Sequence, residues 1–160
     1  ADEVWVHIPS VEEESVQLTD MPAYEQLPNE AELEAKWGRF MAIRNDVLKA
    51  LEAARNEKVI GKSLNAKVSL YVDADTEQFL QTIKESYEQL FIVSKFEVSG
   101  PIGEAPEHAM KFDHYAIEIT KAEGETCERC WNVTEEVGKD EKHPTLCPRC
   151  SKVVKEVYSM

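Results

Sequence analysis

Four cysteines in two close pairs constrain this chain more than any other feature of its sequence. The pairs are CERC and CPRC, and sixteen residues separate the first pair from the second. Zinc binds four thiolates in a tetrahedron, and a CxxC turn presents two thiolates from one tight knuckle. The spacing therefore predicts a zinc ribbon, with one zinc ion held by Cys127, Cys130, Cys147 and Cys150.

Other uses of paired cysteines fit this pattern less well. A redox dithiol needs one CxxC motif, ideally opening a helix after a strand, rather than two motifs at ribbon spacing. No secretory leader and no long apolar run is recognised in the 160 residues. We therefore expect a cytoplasmic location without membrane association, where disulfides are rare. An iron–sulfur cluster stays open on chemical grounds, although its typical cysteine spacings differ.

A zinc ion with four protein thiolates has no open position for water or substrate, so the predicted site is structural. The segment that carries it is too short to bury a large core. Zinc binding contributes about 10 to 16 kcal/mol of apparent free energy in modules of this kind. We expect the metal to be what folds the C-terminal part of the chain.

Basic and aromatic side chains flank both cysteine pairs. Arg129 lies inside the first pair and Trp131 follows it, whereas Arg149, Lys152 and Lys155 lie within or after the second pair. An exposed guanidinium and indole can stack on unpaired RNA bases. Alternatively, the cations balance the negative charge of the zinc–thiolate centre, and the tryptophan fills the core of the ribbon. The sequence leaves both interpretations open.

The charge of the chain is unevenly distributed. The net charge of −13 argues against a nucleic-acid partner, because phosphate contacts need Lys and Arg. Residues 1–35 carry ten acids and no bases, whereas residues 36–62 carry seven bases and three acids. Local charge decides where an anion docks, so Arg44, Arg55 and Lys58 form a second candidate surface. Alternatively, their aliphatic stems pack against the protein and their charged ends reach water.

The spacing of apolar residues predicts an α+β chain in three parts. Residues 1–62 combine an extended acidic leader with a long helix over 29–57, for which Asn29 is the N-cap and Gly61 the stop. Residues 63–122 form a small β-α-β-β module, and residues 123–160 form the zinc ribbon. The predicted apolar stripe of the long helix contains Leu33, Trp37, Phe40, Val47 and Leu51.

The module is predicted from alternating and helical patterns. The strands are AKVSLYVD, FIVSKFEVS and YAIEIT, and their alternation indicates a sheet with one polar face. Asp75 and Gln78 resemble a capping box that opens the intervening helix. That helix carries apolar residues from Phe79 to Leu90 and should cover the other face of the sheet.

No pattern typical of a catalytic centre is found. The tripeptide GKS at 61–63 resembles the end of a phosphate-binding loop, but Asn56 stands where the motif needs an earlier glycine. The tripeptide also follows a predicted helix, where the motif needs a strand. We therefore expect no catalytic residues in this chain.

With these motifs in view, the chain resembles the C-terminal end of bacterial isoleucyl-tRNA synthetases. The resemblance is carried by LEAKWGRFMAIRNDVLKALEAARNEKVIGKSLNAKVSLY followed by CERCWN and LCPRC. The upstream VWVHIP and SVQLTDMP are similar to the tract that connects helices of the anticodon-binding bundle in that family. The ribbon is similar to a zinc finger that those synthetases share with formamidopyrimidine-DNA glycosylases.

The resemblance implies that the parent enzyme joins isoleucine to its tRNA through an isoleucyl-adenylate, using ATP and Mg²⁺. The HIGH and KMSKS motifs of the family are absent from these residues, so this portion alone cannot aminoacylate. Its implied role is to hold tRNA near the anticodon stem-loop, together with the remainder of the synthetase chain. The implied RNA contacts are led by Arg129 and Trp131, with Arg55, Lys58, Lys62, Arg149 and Lys152 as further candidates.

Two other functions are weighed against this one. The ribbon could be purely structural and dock on the synthetase's own helical bundle without touching RNA. A reader of damaged DNA would follow from the glycosylase finger, but the arginine-bearing hairpin and Pro/Glu N-terminus of those enzymes are missing. We therefore expect no DNA partner.

Overall fold

The computed structural model describes residues 1–158, which fall into two compact units. The first unit is Ala1–Trp37, and the second begins at Gly38. No helix of the described residues combines the length and the apolar character needed to cross a membrane. The helices are α1 Asp2–Trp5, α2 Glu30–Asn56, α3 Ala74–Gln81, α4 Tyr87–Phe91 and α5 Pro148–Val153. The strands are β1 Ala66–Val72, β2 Lys95–Pro101, β3 Met110–Lys111, β4 Tyr115–Lys121, β5 Glu125–Thr126 and β6 Val133–Thr134.

The sequence predicts an extended leader, but the start of the first unit is partly helical. Its first residues form α1, where Asp2 and Glu3 lie in the first turn and interact favourably with the positive end of the helix. Ser15 donates a hydrogen bond of 2.7 Å to Asp2, and the Trp5 indole donates one of 2.8 Å to the carbonyl of Glu13. Local side-chain contacts therefore fold the start of the leader into a compact turn.

Helix α2 agrees with the predicted helix within one residue at each end. Phe40, Val47 and Leu51 of its predicted stripe are buried. Shorter elements of the second unit pack against this helix. The ring centroids of Phe40 and Phe91 lie 5.3 Å apart, and Tyr115 donates a 2.8 Å hydrogen bond to Asp46. From Phe40 onward the helix packs against α4 and β4 of the second unit.

The end of α2 differs from the prediction that Gly61 stops the helix. Lys58 adopts the left-handed conformation with φ of 61°. Its N–H donates to the carbonyl of Arg55, and the N–H of Val59 donates to the carbonyl of Ala54. These two hydrogen bonds form a Schellman motif, in which a left-handed residue after the helix satisfies the last carbonyls. Lysine occupies a position where glycine is preferred.

A four-stranded mixed sheet forms the centre of the second unit, in the order β2-β1-β4-β3. Strand β1 pairs with β2 in parallel and with β4 in antiparallel register. The predicted alternation in β1 holds in part: Val68, Leu70 and Val72 are buried and Lys67 and Tyr71 are half-exposed, but Ser69 of the predicted polar face is buried. The sheet, α2 and the ribbon confirm the α+β class.

The segment between β1 and β2 holds two short helices instead of the single predicted helix. The N-cap of α3 is Asp73, whose carboxylate accepts a 2.8 Å hydrogen bond from the Thr76 N–H, so the predicted capping box at Asp75 and Gln78 is wrong. Helix α3 ends at its C-cap Thr82, and the second helix, α4, begins at Tyr87. The predicted strand beginning at Phe91 starts only at Lys95.

Candidate metal centre

The ribbon is built from one hairpin and one short helix. Strands β5 and β6 pair with Thr126 opposite Val133, and the first cysteine pair lies in the turn between them. The second pair lies at the start of α5, where Cys147 is the N-cap and Pro148 the first helical residue. Proline suits this position because its fixed φ matches the helix and its missing N–H needs no partner there.

These elements bring the four cysteine sulfurs together as the spacing predicts. All four Sγ atoms lie within 4.8 Å of one another, and Cys127, Cys147 and Cys150 are buried. The Sγ atoms of Cys130 and Cys147 are 3.8 Å apart, well beyond the ~2.0 Å of a disulfide bond. A tetrahedral zinc with Zn–S bonds of about 2.3 Å has S–S edges of about 3.8 Å. The donor set and its size therefore fit a structural zinc ion.

The pKa values of the Cys127 and Cys147 thiols are shifted in opposite directions by hydrogen bonds and burial. Burial raises the pKa of Cys127, but hydrogen bonds to its sulfur from the backbone N–H groups of Cys130 and Cys147 lower the pKa to about 6. Burial raises the pKa of Cys147 to about 12, with further contributions from the neighbouring Cys150 thiol. A zinc ion bound here would hold all four sulfurs as thiolates.

Arg129 and Trp131 lie on the surface of the first knuckle. Trp131 is 66% exposed, which contradicts the alternative that it fills the ribbon core. Its backbone is left-handed, with φ of 64°, and its N–H donates a 2.8 Å hydrogen bond to the carbonyl of Cys127. Arg129 donates a 3.7 Å hydrogen bond from Nη1 to the Sγ of Cys150. The indole and the guanidinium thus share one turn of backbone.

The second knuckle has its own cations. The guanidinium of Arg149 hydrogen bonds to the Cys130 sulfur, which raises the pKa of Arg149. Lys152 lies 3.8 Å from the carboxylate of Glu156, and Lys155 pairs with Asp140. Of this set, Arg149 contacts the cysteine sulfurs, whereas Lys152 and Lys155 contact carboxylates. Each arginine contacts a sulfur of the opposite knuckle.

The structure places the other predicted RNA contacts at the end of α2. Arg55 pairs with Glu52, and both Arg55 and Lys58 line a surface depression that also includes Lys121. Lys62 is exposed but is not among the lining residues. Arg44, also considered from sequence, donates a 2.9 Å hydrogen bond to the carbonyl of Leu90. Arg44 therefore stabilises the packing of α2 on α4.

Sequence reasoning missed three residues that shape these surfaces. Ser94 donates a 2.5 Å hydrogen bond to the carbonyl of Leu64 and also contacts the ribbon. Asp140 accepts hydrogen bonds from Ser151 and Lys155, which fixes the loop between the knuckles onto α5. Lys121 ends β4 beside the end of α2. No local motif marks any of them, because their partners are distant in sequence.

Comparison with known proteins agrees with this geometry. The family described as "Zinc finger found in FPG and IleRS" matches residues 124–153. Proteins named Isoleucine--tRNA ligase from Bacillus cereus (strain B4264) and Bacillus anthracis (strain A0248) are each 58% identical over 158 residues, which is 99% of this chain. The chain spans only 17% of the length of these relatives. Over nearly its whole length the chain is therefore similar to the C-terminal region of isoleucine--tRNA ligases, and its residues 124–153 match a zinc-finger family.

Proposed function

We propose that this chain is the tRNA-binding C-terminal portion of an isoleucine--tRNA ligase, and that its zinc ribbon positions the anticodon stem-loop of the tRNA. The observation that carries the proposal is the exposure of Trp131, 66% of whose surface faces solvent. A left-handed conformation costs a bulky residue about 1 to 2 kcal/mol. Strain of this kind is often retained at functional sites, and an exposed indole offers a stacking surface for an unpaired base.

The ribbon's arginine supports the same role. A zinc ion with four thiolates carries two net negative charges, which would repel RNA. Arg129 reaches a sulfur of Cys150 and lies two residues from the exposed indole, so it offsets the charge of the centre at the edge of the stacking surface. We assign the zinc to Cys127, Cys130, Cys147 and Cys150, and the RNA contacts to Arg129 and Trp131 first, then Arg149 and Lys152.

The parent enzyme in this proposal attaches isoleucine to its tRNA with ATP and Mg²⁺. Those ligands bind outside the residues described here. The remainder of the synthetase chain is the second partner, and neither DNA nor a membrane is involved. We place the protein in the cytoplasm, where cysteine pairs such as CERC and CPRC remain reduced and available to zinc.

The three-part division is part of the proposal. Residues 1–62 are the end of the anticodon-binding helical region, residues 63–122 are the α/β module, and residues 123–160 are the ribbon. The family match over residues 124–153 supports the boundary before the ribbon. In this arrangement α2 belongs to the helical region, while its buried residues from Phe40 onward anchor the module.

The test is a binding titration of the zinc-loaded chain with a tRNA that accepts isoleucine. Stacking of one base on an aromatic side chain contributes about 1 to 3 kcal/mol, so Trp131→Ala should weaken binding by roughly 5- to 150-fold. Trp131→Phe keeps an aromatic face and should retain most of the affinity. Zinc content and melting temperature of both variants should match the wild type, because Trp131 is exposed.

A purely structural ribbon is the second candidate, favoured by one observation. Arg129 and Arg149 each hydrogen bond to a cysteine sulfur, which is what charge balance alone requires. In that case Arg129→Ala and Arg149→Ala would lower the melting temperature, and Trp131→Ala would leave tRNA affinity unchanged. Unchanged affinity in Trp131→Ala, at full zinc occupancy, would refute the stacking role.

A further inference from the structure

A depression of about 560 Å³ at the end of α2 is lined by cations and by no carboxylate. Its charged residues are Arg55, Lys58 and Lys121, which come from the last turn of α2, the loop after it and the end of β4. We call this site the basic depression. The uncharged residues that line it are Val59, Ile60, Gly61 and Asn65.

The basic depression differs in charge from four other depressions on the described residues. Four further depressions in the described part of the chain each include at least one carboxylate, such as Glu123, Glu77 or Glu88. The depression beside α5 contains Lys152 and Lys155, but it also contains Asp140, Glu141 and Glu156. The chain carries a net charge of −13, but local potential decides where an anion binds.

Two of the three cations have no acidic partner. Neither Lys58 nor Lys121 forms an ion pair with any residue of 1–158 (the nine pairs of that range involve other cations). Arg55 pairs with Glu52, yet 42% of its side chain stays exposed. The oxygen of the Asn65 side chain accepts the Lys62 N–H, so its NH₂ group remains available as a further donor.

Rigid elements hold these cations in place. Lys58 is fixed by the Schellman motif, and Lys121 is paired with Ala66 of β1 in the sheet register. Cations at a helix C-terminus can also serve only to offset the partial negative charge of its carbonyls. Here the carbonyls of Ala54 and Arg55 already accept backbone N–H groups, and Lys121 comes from a strand. Helix stabilisation therefore does not account for the set.

We infer that the basic depression binds phosphate groups of an RNA backbone, and that Lys121 is one of its contacts. The inference rests on the proposed function, and it distinguishes contacts to RNA bases from contacts to RNA phosphates. The lining contains no aromatic side chain, so it offers charge and hydrogen-bond donors but no stacking surface. Backbone phosphates are recognised in this way without regard to sequence. The ribbon contacts bases, and the basic depression contacts phosphates.

The experiment compares two double variants of the zinc-loaded chain in tRNA titrations at 50 and 200 mM salt. Lys58→Gln with Lys121→Gln removes the two unpaired cations of the depression. Lys84→Gln with Lys111→Gln makes the same change of charge at exposed lysines elsewhere. Each lost phosphate contact lowers the slope of log affinity against log salt by about 0.9. The affinity ratio of wild type to depression variant should therefore fall about tenfold between the two salt concentrations.

The outcomes separate the two levels of the proposal. A loss confined to the depression variant, similar for tRNAs of different sequence, supports the phosphate site. Equal affinities and salt slopes for both double variants, with wild-type binding intact, overturn the inference and leave the proposed function standing. A wild-type chain that binds no tRNA at 50 mM salt overturns both. A lower melting temperature of the depression variant at unchanged affinity assigns the cations to helix stabilisation and also overturns the inference.

Discussion

Ser94 accepts a hydrogen bond of 2.7 Å at its hydroxyl oxygen from the backbone N–H of Val133. The same hydroxyl donates to the carbonyl of Leu64, at the entry to β1. One side chain thus connects the α/β module to the hairpin of the ribbon, two residues after Trp131. The contact thus links the module to the strand that follows the first knuckle.

Replacing Ser94 by alanine should lower the free energy of unfolding by about 1 to 3 kcal/mol, because Val133 is buried and its N–H loses its acceptor. Denaturant unfolding of the zinc-loaded chain measures the change. The control is Ser99→Ala, which removes an exposed hydroxyl 3.2 Å from Glu97. Zinc stoichiometry should stay unchanged, since the hydrogen bonds of Ser94 go to Leu64 and Val133. Equal stabilities of the two variants would contradict the connecting role.

A close backbone contact within the ribbon lies at Gly124, the first residue of the zinc-finger match. Its φ is +108°, and a Cβ atom there would lie 2.2 Å from the backbone carbon of Thr134. Gly124→Ala should therefore destabilise the ribbon by about 1 to 3 kcal/mol, as expected when a crowded site is overfilled. Gly103→Ala is the matched control, because nothing lies within 4 Å of its Cβ position. Thermal unfolding with zinc bound should separate the two, and similar melting temperatures would contradict the close packing.

Features that depend on residues close together in the sequence were predicted, whereas contacts between residues far apart in the sequence were missed. Cysteine spacing predicted the clustered sulfurs, because metal coordination dictates the pattern locally. Helix α2 was predicted because its apolar residues repeat over many turns. Ser94 was missed because Val133, its partner in the ribbon, lies 39 residues away. Lys121 was missed because the other cations that line the basic depression come from other elements. The sequence could not show whether Trp131 is exposed, because a large aromatic side chain suits both a stacking surface and the core of the ribbon.

The cap of α3 illustrates a choice between two similar local signals. Asp73 and Asp75 both precede helical residues, and each is followed by polar residues that fit a cap. In the structure Asp73 is the N-cap, and His114, which directly precedes β4, also contacts its carboxylate, with Nδ1 2.9 Å from Oδ2. Asp73 and His114 lie 41 positions apart in the sequence, so no local pattern contains this contact.

This contact predicts a pH dependence. The N–H and hydroxyl of Thr76, followed by His114, lower the pKa of Asp73 to about 2, below the ~3.9 of an unfolded aspartate. A lowered folded-state pKa stabilises the protein above pH 4, and this contribution is lost as the pH falls towards 2. Asp73→Asn keeps the cap but cannot ionise. The stability difference between wild type and variant should shrink between pH 5 and pH 2, and a constant difference would contradict the assignment.

Ile92 provides a test of backbone strain. It ends α4 in the left-handed conformation with φ of 58°, although 55% of its surface is exposed. β-Branched residues are outliers in this region, and glycine adopts it readily. Ile92→Gly should raise the free energy of unfolding by about 0.5 to 1 kcal/mol in denaturant titrations. Ile92→Ala is the control that removes side-chain contacts while keeping a Cβ atom. A glycine variant less stable than the alanine variant would contradict the strain.

The zinc content of the chain, measured by elemental analysis during titration of its thiols, tests the metal centre most directly. The protein is purified under reducing conditions without added metal. We expect one zinc ion per chain, released in step with modification of Cys127, Cys130, Cys147 and Cys150, and a loss of amide-exchange protection over residues 124–153 when a chelator removes it. Purified chain without stoichiometric metal, or a ribbon that keeps its protection after chelation, would contradict the zinc-supported fold.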